Sequence, residues 1–111
     1  MLTPSPATRI FVALTPVDLR RSFNGLCAWV QDQWQEDPLS GHVYVFTNAR
    51  RNRLKLLYWD GSGLWVCAKR LERGRFSWPC GEGPHTNLRP EEWNALVNGL
   101  EMQAKRDWFR K

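Results

Sequence analysis

The sequence has no apolar run approaching the ~18–20 residues that cross a bilayer, and its first residues, MLTPSPATR, lack a charged segment leading into an apolar core. Export and membrane anchoring are therefore not expected, and a cytoplasmic protein is. Cysteine is sparse. Cys27, Cys67 and Cys80 are an odd number with no Cys-x-x-Cys spacing, which fits free thiols in a reducing compartment better than a disulfide framework. Cys80 and His85 share a Gly/Pro-rich stretch but lack the two further ligands a zinc site needs, so no metal is expected. No Gly-rich loop followed by Lys succeeds any strand-like run, so the sequence offers nothing to cradle a nucleotide phosphate, and no cofactor is expected.

Catalytic constellations are missing in the same way. Two-metal phosphoryl transfer needs several carboxylates converging on cations. Here the acidic residues sit at helix starts (Asp18, Glu91, Glu92), in turns (Asp37, Asp60, Glu72) and in a charged tail. His42 and His85 are far apart in sequence, and Ser22, Ser40, Ser62 and Ser77 have no His or acidic neighbour to activate them. The sequence thus names no catalytic residue, and the protein is read as a non-enzyme.

What is present is aromatic area and positive charge. Seven Trp, five Phe and two Tyr in 111 residues are too much apolar surface to leave in water, and a chain of this length buries a core without a metal or disulfide. One domain is expected. The formal net charge is +5, from 16 Lys+Arg against 11 Asp+Glu. The excess is local: residues 50–75 hold Arg50, Arg51, Arg53, Lys55, Lys69, Arg70, Arg73 and Arg75 against Asp60 and Glu72, while the flanking segments are near neutral. Such clustering suits a polyanion-binding surface, although a basic segment can also be simply a solvated one.

The domain divides into a flexible arm over 1–8, a core over 9–79, a Gly/Pro loop over 80–89, and a helix with a basic tail over 90–111. Arg9 to Leu14 is a short β-branched run and reads as a strand. Asp18 and Pro16 supply helix-start chemistry, and Leu19, Phe23, Leu26, Cys27, Val30 and Trp34 recur at helical spacing, predicting an amphipathic helix from Leu19 to Trp34. His42–Thr47, Arg53–Trp59, Leu64–Arg70 and a short run Arg75–Trp78 read as four strands of an antiparallel meander. Asp60-Gly61-Ser62-Gly63 is the hairpin turn between the second and third, with Asp60 bonding its own backbone. The first strand is expected to add at an edge. Pro90-Glu91-Glu92-Trp93 opens the second helix, with Trp93, Leu96, Val97 and Leu100 on one side. The fold class is α+β, a central antiparallel sheet of about four to five strands with the main helix on one face and a second, C-terminal helix.

Alternation along the strands assigns faces. Leu54, Leu56 and Tyr58 form the expected core face, packing on the first helix. If Leu64, Val66 and Ala68 join that core, then Arg53, Lys55, Lys69, Trp59 and Trp65 are presented together outward. Cations that neutralise phosphates and indoles that stack on bases suit nucleic acid. The same groups equally suit a second packing layer or a protein interface. The nucleic-acid-binding candidates are Arg50, Arg51, Arg53, Lys55, Lys69, Arg70, Arg73 and Arg75 for phosphates, with Trp59 and Trp65 for stacking. Arg20 and Arg21, opposite the helix stripe, read as a solvated face.

The run Arg53-Leu54-Lys55-Leu56-Leu57-Tyr58-Trp59-Asp60-Gly61-Ser62-Gly63-Leu64-Trp65, continued by Lys69-Arg70-Leu71-Glu72-Arg73-Gly74-Arg75-Phe76-Ser77-Trp78-Pro79, resembles the TnpB accessory proteins encoded by the second open reading frame of bacterial insertion sequences of type sixty-six. Upstream pieces agree in order: Pro16 to Leu26, Asp37-Pro38-Leu39-Ser40-Gly41, and Val45-Phe46-Thr47-Asn48 with Arg50-Arg51. This family is distinct from the RNA-guided nuclease that shares the name TnpB, which is far longer and carries a carboxylate core. Asn24 stands where many relatives are expected to carry Asp.

The resemblance implies an accessory part in transposition, alongside a separate transposase, in a bacterial cytoplasm and near its nucleoid. It brings no catalytic residues with it. DNA is the partner expected from charge, and the transposase and other proteins of the element are those expected from the resemblance. An adaptor that binds the transposase without touching DNA is the alternative. Oligomeric state is open, with exposed strand edges offering a route to a dimer.

Overall fold

A computed structural model describes residues 7–98. The expectations for the N-terminal arm, for Leu100 and for the basic tail lie almost wholly outside those residues. The chain forms β1 (Ile10–Ala13), α1 (Phe23–Gln33), β2 (Val43–Thr47), β3 (Arg53–Trp59), β4 (Leu64–Arg70), β5 (His85–Leu88) and α2 (Pro90–Val97). The five strands make one sheet in the order β4-β3-β2-β1-β5. The α+β class holds, and the middle strands pair as the meander predicts: β2 with β3, and β3 with β4, both antiparallel.

Three features differ from the sequence reading. The sheet is mixed, because β1 runs parallel to β2, with α1 as the crossover between them, and β1 lies inside the sheet between β2 and β5. Its inner place explains why Ile10, Phe11, Val12 and Ala13 are all buried. Secondly, His85-Thr86-Asn87-Leu88, expected as loop, is an antiparallel edge strand on β1. Thirdly, Arg75–Trp78 is not a strand. It crosses the sheet instead, and Phe76 and Trp78 are buried by side-chain packing while the backbone makes no ladder. The Trp78 indole N–H donates to the Ala13 carbonyl at 2.6 Å, pinning this crossing segment to the end of β1.

Both faces of the sheet are covered. On one, Leu26, Val30 and Trp34 of α1 meet Phe11, Tyr44, Phe46 and Leu57. On the other, Phe76, Trp78, Trp93 and Leu96 meet Ile10, Val12, Val43, Val45, Leu54, Leu56 and Leu88. Leu54 and Leu56 therefore pack away from the first helix, opposite to expectation, and Leu57 packs against it. The α1 side is an aromatic layer: Trp34 stacks on Phe46 with ring centroids 5.2 Å apart, and Phe11 stacks on Tyr44 at 5.0 Å.

Helix α1 starts four residues later than predicted. Asp18 accepts from the Arg20 backbone N–H at 3.0 Å, and its carbonyl accepts from the Arg21 N–H, so Asp18 closes a turn of its own in place of a helix cap. Leu19 is left outside the helix, and Phe23, assigned to the stripe, is 47% exposed. Helix α2 starts as predicted at Pro90, with the Glu92 carboxylate accepting the Arg89 backbone N–H at 2.8 Å.

Candidate nucleic-acid interface

Register decides which side chains stand together, because residues directly opposite across an antiparallel pair share a face. Arg53 pairs with Arg70, Lys55 with Ala68, Leu57 with Val66 and Trp59 with Leu64. Those eight residues face α1. Lys69, Cys67 and Trp65 lie opposite Leu54, Leu56 and Tyr58 on the other face. The outward platform expected from the sequence does not form: Trp59 and Trp65 are on opposite faces, and Lys69 is on the face opposite Arg53 and Lys55. The reason is parity. A four-residue turn, closed by the Asp60 N–H on the Gly63 carbonyl at 3.1 Å, sets Trp59 against Leu64 and so moves Trp65 to the face of Tyr58.

The cations are brought together differently, at one end of the sheet. Arg53 begins β3 and Arg70 ends β4, so both stand at the same end. The connector carrying Arg50 and Arg51 precedes β3 there. It is a folded loop: Asn48 Oδ1 accepts from the Asn52 and Arg53 backbone N–H groups, and Asn48 Nδ2 donates to Asn52 Oδ1 at 2.8 Å. Arg51 takes φ +59, a left-handed conformation that this loop imposes on a non-glycine residue. The segment carrying Arg73 and Arg75 is tied to the same loop, because the Leu71 N–H donates to the Asn52 carbonyl at 2.8 Å and the Phe76 N–H to the Arg51 carbonyl at 2.7 Å. Its reversal uses Gly74 at φ +73. The Val17 N–H bonds the Thr47 carbonyl, at 2.9 Å, and brings the Arg20-Arg21 segment to this end as well.

The result is a rim. Arg50, Arg51, Arg53, Arg70, Arg73 and Arg75 lie at this end, with Glu72 the one carboxylate of that segment beside them, since Asp60 is at the far end of the hairpin; Lys55 stands further along β3 and Lys69 projects from the other face. Arg50, Arg51, Arg53, Arg73 and Arg75 make no side-chain hydrogen bond or ion pair with the described residues. The others are engaged. Arg70 pairs with Glu72 at 3.1 Å. Lys55 donates to the Arg21 carbonyl at 2.8 Å, fastening β3 to the approach to α1. Lys69 donates to the Val97 carbonyl at 2.6 Å, where a cation suits the C-terminal end of α2.

Arg20 and Arg21 are also partly committed. Asp18 grips the Arg20 guanidinium at 2.7 Å, and this hydrogen-bonded partner pulls the Asp18 carboxyl down to about 2. The guanidinium of Arg21 lies 5.2 Å over the Trp29 ring. Its stem lies against Gly25, where an added Cβ would meet Arg21 Cβ at 3.0 Å, so this glycine admits an arginine side chain.

The indoles stand apart from the rim. Trp65, 55% exposed, is near the hairpin tip, where its Nε1–H donates to Asp60 Oδ2 at 2.8 Å. Asp60 Oδ1 also accepts from the Ser62 and Gly63 backbone N–H groups at 2.8 and 2.9 Å. These hydrogen bonds, led by that from Trp65, hold the Asp60 carboxyl well below the usual carboxylate range. The turn role read for Asp60 is thus what its geometry shows, and its grip on Trp65 is an addition that the five-residue spacing does not announce. The histidines serve packing and backbone bonding: His42 Nδ1 accepts the Arg9 N–H at 2.9 Å, and His85 lies beside Trp34.

Residues 8–107, nearly the whole chain, match the family model described as IS66 Orf2 like protein. The chain belongs to the IS66 Orf2-like family. This Orf2-like protein is 43% identical over 110 residues to the uncharacterized protein y4jC of Sinorhizobium fredii, covering 99% of this chain and 89% of that one. A second protein of the same organism, the uncharacterized protein y4hO, is 32% identical over 110 residues, covering 99% and 96% respectively. No solved structure matches it. The family is an accessory family of insertion sequences, and membership is consistent with an accessory role in transposition. Among the described residues no helix is long and apolar enough to cross a membrane, and no three His, Cys, Asp or Glu side chains are grouped to hold a metal.

Proposed function

We propose that this Orf2-like protein assists transposition by gripping element DNA, alone or in complex with the transposase, through the cationic rim at one end of its sheet, without chemistry of its own. The observation that carries this reading is the convergence of Arg50, Arg51, Arg53, Arg73 and Arg75 from two loops and a strand start that the backbone ties together, with no carboxylate of the described residues taking their charge. Unpaired guanidinium groups held on one rim neutralise successive phosphates and release counterions. The ends of an insertion sequence are the DNA target in this reading.

A salt titration with an element-end duplex, a single strand and a random duplex tests it. The expected result is binding whose affinity falls linearly on log–log axes, with a slope of about −4 to −5 if each of the five free arginines meets one phosphate. No binding at low salt would leave the second reading, an adaptor that docks on the transposase. That reading draws on Trp65, exposed at the opposite end of the β3–β4 hairpin from the cations and held in one orientation by Asp60.

A further inference from the structure

Arg53 and Arg70 occupy directly opposite positions on β3 and β4. Like charges in such a pair have Cβ atoms about 5 Å apart and repel, so the arrangement weakens the sheet unless something negative lies between or beside them. Glu72 reaches Arg70 from the side, through two contacts of 3.1 and 3.2 Å, and leaves Arg53 without a counter-charge among the described residues. Lys55 is the next residue of β3 on the same face, its ammonium held by the Arg21 carbonyl with donors to spare. Arg53, Lys55, Lys69 and Arg70 line one open cleft of about 210 Å³, with Leu19, Leu54 and Ala68 as apolar wall.

Resting on the DNA reading above, we propose that this cleft receives a terminal phosphate monoester of a DNA strand, as distinct from the internal phosphodiesters met by the rest of the rim. The argument is one of charge and size. The four lining cations and Glu72 beside Arg70 give a local net charge of +3. An internal phosphodiester offsets one of those charges, whereas a monoester carries about −1.5 to −2 near neutral pH, offsets more of them and offers three terminal oxygens. The Arg53 fork and the spare donors of the Lys55 ammonium suit those acceptors, with the Arg70 guanidinium, shared with Glu72, beside them. The cleft, about 210 Å³ and open to solvent, has space for a phosphoryl group. Leu19 and Ala68 give the sugar it caps an apolar surface to rest on. Strand ends are what transposition creates, so a receptor for them belongs beside a surface that holds the flanking DNA.

The test uses the full chain and short single strands of one sequence carrying a 5′-phosphate, a 3′-phosphate or hydroxyls at both ends, read by fluorescence anisotropy. One of the phosphorylated strands is expected to bind about tenfold or more tightly than the hydroxyl strand, as one or two charge-assisted hydrogen bonds imply. The advantage should shrink as the pH falls below about 6, where the monoester takes up its second proton. Arg53→Gln should abolish the advantage while leaving the fold intact, because Arg53 is exposed and makes no side-chain bond that the variant would break. Equal binding of all three strands would overturn the monoester site and leave the DNA-binding rim standing. A preference that persists undiminished in Arg53→Gln would overturn the assignment to this cleft. Failure of every strand and duplex to bind at low salt would remove the DNA reading and the monoester site together.

Discussion

Replacing Arg50, Arg53, Arg73 and Arg75 together with glutamine is expected to lower the log–log salt slope for duplex binding by about 3 to 4 and the affinity at 0.15 M salt by roughly 10²–10³-fold. Each of the four is exposed and none bonds another described side chain, so thermal stability should stay within about 1 kcal/mol of the parent. The matched control is Arg20→Gln. Arg20 is already gripped by Asp18, so its loss should change the slope by less than about 1. A fourfold variant with an unchanged slope would mean that the phosphates are met elsewhere.

The second large effect concerns the layer that seals the other face of the sheet. Trp78→Ala removes an indole only 3% exposed and strands the Ala13 carbonyl that it satisfies. A buried Trp→Ala change costs about 3–5 kcal/mol, and leaving a buried acceptor unpaired adds to it. For a domain of about 100 residues, a loss of about 4 kcal/mol lowers Tm by about 15–30 °C. Trp78→Phe keeps most of the packing and loses the hydrogen bond, so a fall of about half that size is expected. Trp65→Ala, at the exposed hairpin tip, should move Tm by only a few degrees. Calorimetry on the three variants separates a packing layer from a solvated loop: equal, small effects would mean that residues 75–78 do not cover the sheet.

These expectations rest on a fold of which the middle was legible in the sequence and the borders were not. The strands β2, β3 and β4 announce themselves as β-branched and aromatic runs bounded by Asn-Ala-Arg-Arg-Asn and Asp-Gly-Ser-Gly, and they appear within a residue of where those signals put them. Strand β5 is His-Thr-Asn-Leu, with no apolar alternation to betray it. Its existence depends on backbone groups of β1 seeking partners, which is a non-local fact. The parallel pairing of β1 with β2 is equally non-local. Arg75–Trp78 shows the reverse: its aromatic alternation reads as a strand, and the segment instead crosses over the sheet with Phe76 and Trp78 buried, because period-two burial fits both.

The candidate site was half legible. The charge excess of residues 50–75 singled out a segment whose arginines the fold gathers at one end of the sheet, while Lys69 projects from the other face. Their arrangement on a single outward face was misread, although the signal was present: a four-residue turn fixes which residues of β3 and β4 are opposite, and counting across it places Trp65 with Tyr58. What no count could give is the way Asn48, Asn52 and Arg51 tie two basic loops together through their backbones, or the commitment of Lys55 and Lys69 to carbonyls of Arg21 and Val97. Those contacts span up to 34 residues of sequence. They divide a basic segment into cations bonded within the molecule and cations whose side chains have no partner among the described residues.

The measurement that bears most directly on this account is backbone amide chemical-shift mapping as an element-end duplex is added. The account predicts that Asn48 to Arg53, Lys69 to Arg75 and Asp18 to Arg21 shift together with one dissociation constant, and that the Asp60–Trp65 tip stays still. Shifts confined to that tip, or scattered without regard to the rim, would contradict it.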